Sequence, residues 1–122
     1  MGRVRRRDTA PELAVRKVLY SIGARYRVDV SSLPGSPDIA NKTRGRAIFV
    51  HGCFWHYHQD CRRGNVPKRN HTFWRKKLLA NRRRDRESVA ALEARGFRVL
   101  VVWECEVDAP WLREELRDFW FD

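Results

Sequence analysis

Directly after the apolar run Ala47-Ile48-Phe49-Val50, the chain places two cysteines and three histidines within eleven residues, His51 to Cys61 (HGCFWHYHQDC). Such a segment suits metal binding and aromatic insertion better than a hydrophobic core, so the fold must present a ligand-bearing loop at a strand end. Cys53, His58 and Cys61 give the spacing C-x4-H-x2-C, and Cys105, beyond a second apolar run from Val99 to Trp103, offers a fourth ligand. Thiolate and imidazole are the ligands that Zn2+ takes in closed tetrahedral structural sites. By spacing alone His56 serves as well as His58. The competing view makes the histidines ordinary loop residues and the cysteines small buried apolar ones.

At 122 residues the chain is expected to be one domain, 1–122, with a core of its own that a zinc staple would help to hold. Three cysteines, an odd number, argue against a disulfide framework. No apolar stretch approaches the ~20 residues that span a bilayer, and no signal-type apolar region follows the arginine-rich N-terminus. A cytoplasmic protein with no membrane partner is therefore expected.

The formal charge of +11 and pI near 10.6 call for a polyanionic partner. From Arg62 to Arg86 there are eleven Lys or Arg and a single acid, Asp85, whereas the stretch from Asp108 is mostly acidic. A localised basic face is the electrostatic footprint of nucleic-acid binding, with Lys76, Arg82 and Arg83 as candidate phosphate contacts. Arginine outnumbers lysine 21 to 5, which suits bidentate phosphate contacts. Genome base composition would explain that ratio, but not the clustering.

The order of elements reads as a small α/β domain. Thr9-Ala10-Pro11-Glu12 is a capping box that opens a helix with Val15, Val18, Leu19 and Ile22 at helical spacing and a stop at Gly23. Residues 24–30 alternate as an edge strand, and the prolines and glycine of 31–37 make a turn. Asp38-Ile39-Ala40 and Arg46 to Val50 form a hairpin. A long helix from about Thr72 to Arg95 carries Trp74, Leu78, Val89 and Leu92 on one stripe, with Gly96 as its stop. Asn81 and Asp85 interrupt that stripe, so they either face the active site or a neighbouring backbone, or a local twist exposes them. Phe97 to Trp103 reads as the central strand, and Asp108 as the cap of a last amphipathic helix through Leu112, Leu116, Phe119 and Trp120. Helices against a mixed sheet are the result.

The hairpin would bring Asp38 close to Val50 and His51. One carboxylate beside a strand-end carbonyl can hold a hydrated Mg2+, which accepts few protein ligands and keeps several waters. Glu12 can orient one of those waters, although the capping box alone accounts for it. Imidazole as a side-chain type titrates near the operating pH, so His51 and His56 suit a general base and a polarising group; the sequence does not assign the two roles. Phosphodiester hydrolysis needs this set. The plain alternative for Asp38 is a turn aspartate after proline. Phe54 and Trp55, in a metal-rigidified loop, suit a wedge that enters a base step; burial against the zinc site is the other possibility, and for Trp74 burial on the helix stripe.

RDTAPE (Arg7 to Glu12), LPGSPDI (Leu33 to Ile39), HGCFWH (His51 to His56), FWRKKLLANRRRD (Phe73 to Asp85) and GFRVLVVWECE (Gly96 to Glu106) together resemble the very-short-patch repair (Vsr) mismatch endonucleases. The motifs run in order over residues 7–106. The resemblance implies a restriction-endonuclease-like α/β fold that binds duplex DNA and nicks one strand 5′ to the thymine of a T·G mismatch, the lesion left by deamination of 5-methylcytosine. It makes Asp38 the Mg2+ carboxylate with the Val50 carbonyl as a second contact. Glu12 would bind a metal water, and His51 and His56 would assist proton transfer and phosphate stabilisation. Cys53, His58, Cys61 and Cys105 would hold the structural zinc, and Phe54, Trp55 and Trp74 would be the wedge. It further implies a monomer associated with the nucleoid, with repair partners unnamed. Two residues separate His58 from Cys61, where family members often have one. Position 50 is a valine in place of threonine, and only a short basic arm, residues 1–6, precedes the first motif.

Two other functions fit part of the pattern. A non-catalytic zinc-containing DNA-binding module needs the basic face and wedge but not Asp38 and Glu12. An endonuclease of the same fold that cuts matched DNA, of mobile-element or restriction type, needs Asp38 but not the wedge.

Overall fold

The computed structural model describes residues 8–122, and the short basic arm expected at residues 1–6 lies outside them. The chain runs α1 (Ala10–Ser21), β1 (Arg27–Val28), β2 (Ile39–Asn41), β3 (Arg46–His51), α2 (His71–Ala94), β4 (Arg98–Trp103) and α3 (Leu112–Phe121). Three-residue 3-10 turns follow the cysteine–histidine loop, at Arg62–Gly64, and β4, at Glu104–Glu106.

The strands form one mixed sheet in the order β1-β2-β3-β4, antiparallel up to β3 and parallel between β3 and β4. Strand alternation sorts the side chains of β3 onto two faces. Ile48 and Val50 pack with Val15 and Leu19 of α1 and with Leu116 and Trp120 of α3. Ala47 and Phe49 pack with Leu92 of α2 on the other face. Because His51 continues the odd-numbered series, it projects to the α2 side. The register pairs it with Trp103, so Trp103 of β4 arrives on the same face.

The expectation that β4 is the central strand is corrected: β4 is at the sheet edge and β3 is inside. A continuous apolar run reports that both faces are covered by helices, and that holds at an edge as well as in the middle. Asp108 does not cap α3 either; Trp111 stands at the cap position, and no side chain there bonds the helix. The segment 24–30 pairs as a regular strand over only two residues, because Asp29 takes a left-handed φ of 48°. Its N–H still reaches the Asp38 carbonyl at 2.9 Å.

The Thr9 half of the expected capping box forms at α1, whereas the Glu12 carboxylate reaches Asp8 N in place of the Thr9 N–H that would complete it. Thr9 Oγ1 accepts from Glu12 N at 3.4 Å and donates to Glu12 Oε1 at 3.1 Å, and Asp8 N donates to Glu12 Oε2. Gly35, at φ 73°, lets the 31–37 turn press against α2, where an added Cβ would sit 2.5 Å from the Ser88 side chain. Truncating Leu92 or Trp120, each fully buried, to alanine should cost about 3 to 5 kcal/mol.

Candidate active site and metal centre

A cleft of about 570 Å3 opens where the start of α1, the start of β2 and the end of β3 converge, and Glu12, Asp38, Val50, His51 and His56 all line it. Pro37 is fully buried and fixes the chain entering β2, so Asp38 sits half-buried beside β3. One oxygen, Oδ2, accepts the Val50 N–H at 2.7 Å, which leaves Oδ1 free of that bond. Continuing the β2–β3 register sets Pro37 opposite Val50. Proline has no N–H to give, so the Val50 carbonyl gains no ladder donor from that residue.

Glu12 is buried at 4% exposure, and Asp29 joins it: Glu12, Asp29 and Asp38 each bring an oxygen within 4.8 Å of the others. Arg16 reaches Glu12 Oε2 at 3.4 Å and Asp29 Oδ2 at 3.9 Å, and offsets part of their charge. Burial, with the Glu12 and Asp29 carboxylates beside it, pushes Asp38 up to about 6 against the opposing Val50 hydrogen bond. Burial likewise raises Glu12. Carboxylates crowded in this way gain from a divalent cation, and an oxygen-only set suits Mg2+ in type and number. The donors present therefore fit such an ion.

His51 is 4% exposed and its Nδ1 has no partner among the described residues. Burial, and then His56, lower it to about 4, so it is neutral at physiological pH. His56 stacks on it, with ring centroids 3.8 Å apart. His56 Nδ1 meets Asp85 Oδ2 at 2.7 Å. A carboxylate partner makes Nδ1 the donor and leaves Nε2 free to accept a proton. Asp85 thus faces the cleft, and Asn81, one turn earlier, donates to the Trp55 carbonyl at 2.9 Å. Of the two explanations for these polar interruptions, partners on the loop prevail over a helix twist.

Sulfur and imidazole gather on the far side of the loop. Cys53, His58, Cys61 and Cys105 place ligand atoms within 4.8 Å of one another, with Cys105 Sγ 3.6 Å from His58 Nδ1. His56 is not in this group, which leaves His58 as its imidazole. Burial pushes the Cys53 thiol up to about 12, so a metal there must displace a proton. Three thiols and one imidazole are a closed N/S set of the kind zinc takes. His58 also stacks on Trp103 at 3.9 Å, and Glu104 accepts the Cys53 N–H at 3.3 Å and pairs with Arg63 at 3.4 Å. Gly64 passes so close that an added Cβ would lie 2.3 Å from the His58 carbonyl oxygen.

Phe54, Trp55 and Trp74 are half-buried and make edge contacts at 5.0 to 6.0 Å, outside both core clusters. Phe73, 60% exposed, extends the group through Trp74. Lys76 and Arg83 are exposed on α2. Arg82 instead lies over the Tyr57 ring at 4.4 Å and donates to the Tyr57 carbonyl. Sequence reasoning missed Asp29, Phe73 and Glu104; only Phe73 and Glu104 stood within motifs already marked as informative.

Among the described residues no helix is long and apolar enough to cross a membrane. The family described as DNA mismatch endonuclease Vsr matches residues 1–63. The type II nicking enzyme V.XorIIP of Xanthomonas oryzae pv. oryzae is 50% identical over 119 residues, covering 97% of this chain and 87% of its own. The type II nicking enzyme V.NmeAIP of Neisseria meningitidis is 42% identical over 107 residues, covering 88% and 76%. The DNA mismatch endonuclease Vsr of Escherichia coli is 41% identical over 118 residues, covering 97% and 73%. The mixed sheet flanked by helices agrees with the restriction-endonuclease-like architecture of these enzymes. The chain belongs to the Vsr family of DNA mismatch endonucleases, and is by that membership a phosphodiester hydrolase acting on DNA.

Proposed function

We propose that the chain, as one endonuclease unit over residues 1–122 and as a monomer, nicks one strand of duplex DNA 5′ to the thymine of a T·G mismatch, in repair of deaminated 5-methylcytosine. A DNA substrate would put its work at the nucleoid in the cytoplasm. The observation that carries the reading is one cleft lined by Glu12, Asp38, His51 and His56 and also by Phe54 and Trp55. Chemistry and wedge thus share one opening.

Asp38 and the Val50 carbonyl would hold Mg2+, with Glu12 acting on it through water. A divalent ion held by these groups would supply charge to offset that at phosphorus and to acidify water. His56, oriented by Asp85, takes the proton of the attacking water on Nε2. Neutral His51 donates a hydrogen bond to a phosphate oxygen without bringing a full charge. The water oxygen bonds to phosphorus, the bond to the leaving sugar oxygen breaks, and that oxygen is protonated from solvent or a nearby acid.

Cys53, His58, Cys61 and Cys105 would hold Zn2+ and keep the loop rigid. A rigid group of Phe54, Trp55 and Trp74 can enter a base step, and unstacking costs a few kcal/mol, least at a mismatch. Lys76, Arg82 and Arg83 supply the neighbouring positive charge.

The test is incubation of end-labelled T·G and T·A duplexes of the same sequence with protein and Mg2+. A nick confined to the thymine strand of the T·G duplex is the expected result. Equal cleavage of both would replace the mismatch assignment with a nicking enzyme for matched DNA; two of the relatives are named as nicking enzymes with no mismatch in the name. Binding without any nick would leave a DNA-binding module.

A further inference from the structure

The strongly basic α2 segment is not the only cationic surface. A groove of about 780 Å3 runs along the open β1 edge of the sheet, with Arg25, Arg27 and Lys42 among its walls. All three are exposed, and neither Arg25 nor Arg27 has an ion-pair partner among the described residues. Lys42 donates to Ser32 Oγ at 2.7 Å, which holds it against the groove, and the hydroxyls of Ser31 and Thr43 line the same trough. Arginine, lysine and hydroxyl side chains are the donors that contact phosphate oxygens without reading bases.

The position of the groove identifies its occupant. Asp29 lines it and also belongs to the carboxylate cluster with Glu12 and Asp38. Asp29 therefore stands between the groove and the carboxylates of the catalytic cleft, and Arg16 neutralises part of the charge there. The aromatic group stands elsewhere on the rim of that cleft. A polyanion whose phosphate reaches Asp38 must continue past it, and the β1 groove is a cationic channel leading away. Guarding a bare strand edge against pairing with another chain would also explain charged side chains on β1. It does not explain a cationic trough with one wall residue, Asp29, in the carboxylate cluster.

We propose that the β1–β2 groove binds the phosphate backbone of the duplex flank on the side of the cleaved bond away from the aromatic wedge, through Arg25, Arg27 and Lys42. The inference rests on the endonuclease reading and adds a second contact region to it. The groove fixes the path of the DNA, so cleavage depends on that flank being present.

The test uses the full chain, Ca2+ in place of Mg2+ to hold cleavage back, and two T·G duplexes. One has both flanks, and the other is trimmed just beyond the scissile phosphodiester on the groove side. Fluorescence anisotropy over a salt series gives affinity and slope. The double variant Arg25→Ser/Arg27→Ser should bind the long duplex about tenfold more weakly, with a salt slope lower by about two units, one for each lost phosphate contact. On the trimmed duplex it should match the wild type. Arg25→Lys/Arg27→Lys should keep the slope, which separates charge from any change in folding. Arg113→Ser/Arg117→Ser, the same charge change on α3, should leave both values unchanged. The inference is overturned if the groove variant matches the wild type on the long duplex, or if it loses as much on the trimmed one. Failure of the wild type to bind or nick any duplex would instead overturn the endonuclease reading.

Discussion

His51 and His56 stack face to face, with ring centroids 3.8 Å apart and planes 3° from parallel. Two imidazolium rings cannot share such a contact without strong repulsion, so at most one of the pair is charged at a time. Burial, reinforced by His56, already holds His51 neutral above about pH 4. Asp85 supports the other ring at 2.7 Å. The pair is therefore asymmetric, with His56 the member equipped to take a proton and His51 the member equipped to stay neutral.

Replacing Asp85 with asparagine keeps the size but removes the charge that fixes the His56 tautomer. The nicking rate at saturating T·G duplex should fall by about 10²- to 10⁴-fold, the range of general-base contributions. Affinity for the duplex should stay within about threefold of wild type, since Asp85 is placed to act through His56. Single-turnover kinetics beside anisotropy measures both. A parallel fall in rate and affinity would make Asp85 a folding residue.

Asp38 supplies a pH dependence whose sign can be worked out. Burial raises its folded pKa from 3.8 to about 6, so between those values the folded protein keeps a proton that the unfolded chain has lost. Its contribution to stability is complete below pH 3.8 and disappears as pH rises through about 6. In Mg2+-free buffer Asp38→Asn should therefore be more stable than wild type at neutral pH, by up to ~3 kcal/mol, with the difference vanishing toward pH 4. With Mg2+ present, proton and metal compete for the carboxylate, so wild-type nicking should rise with pH at a midpoint that moves down as Mg2+ is raised, while the variant stays inactive. Melting curves across pH check the first statement. A stability difference that does not change with pH would remove the raised pKa from the account.

Much of this arrangement is written in local pattern. The Thr9 cap of α1, the hairpin of β2 and β3, the length of α2 and its stop at Gly96 all follow from turn chemistry and periodicity. The position of β4 does not, since an apolar run reports covered faces and says nothing of lateral neighbours. Asp85 is visible as a polar residue on an apolar stripe, yet its partner is 29 residues away, and only the packing of α2 over the loop supplies it. Asp29 reads as one polar residue in an alternating segment; a left-handed φ of 48° and pairing to Asp38 bring it into the carboxylate cluster. Trp103 reads as core, but the parallel register with His51 sets it between the histidine pair and His58.

A metal held by the cysteine–histidine group would make loop structure depend on it. Purified protein should carry one zinc, and Cys105→Ser should lose it together with the order of residues 52–61, because binding energy at such a site is folding energy. Gly64→Ala is the sharper test, since it keeps all four ligands and adds a methyl 2.3 Å from the His58 carbonyl oxygen. Its zinc affinity should drop and its melting temperature fall by several degrees, as expected for about 1 to 3 kcal/mol of overpacking in a small domain. Metal analysis and thermal melts decide. Wild-type zinc content and stability in both variants would count against a structural metal at this position.

Two adjacent arginines of α2 should separate phosphate contact from loop support. Arg83 is exposed, whereas Arg82 stacks over Tyr57 at 4.4 Å and donates to its carbonyl, which ties α2 to the segment between His56 and His58. Arg83→Ser should weaken binding to T·G and T·A duplexes alike and lower the salt slope by about one unit, with no change in stability. Arg82→Ser should lower the slope at most equally but also lower the melting temperature and the nicking rate, because the loop carrying His56 loses its anchor. Arg82→Lys keeps the charge but loses the planar stacking, so it should restore the slope and not the rate. Anisotropy over a salt series, thermal melts and single-turnover nicking read the three effects. If the two serine variants behave identically in all three, Arg82 is simply a second phosphate contact and the tie to Tyr57 has no functional weight.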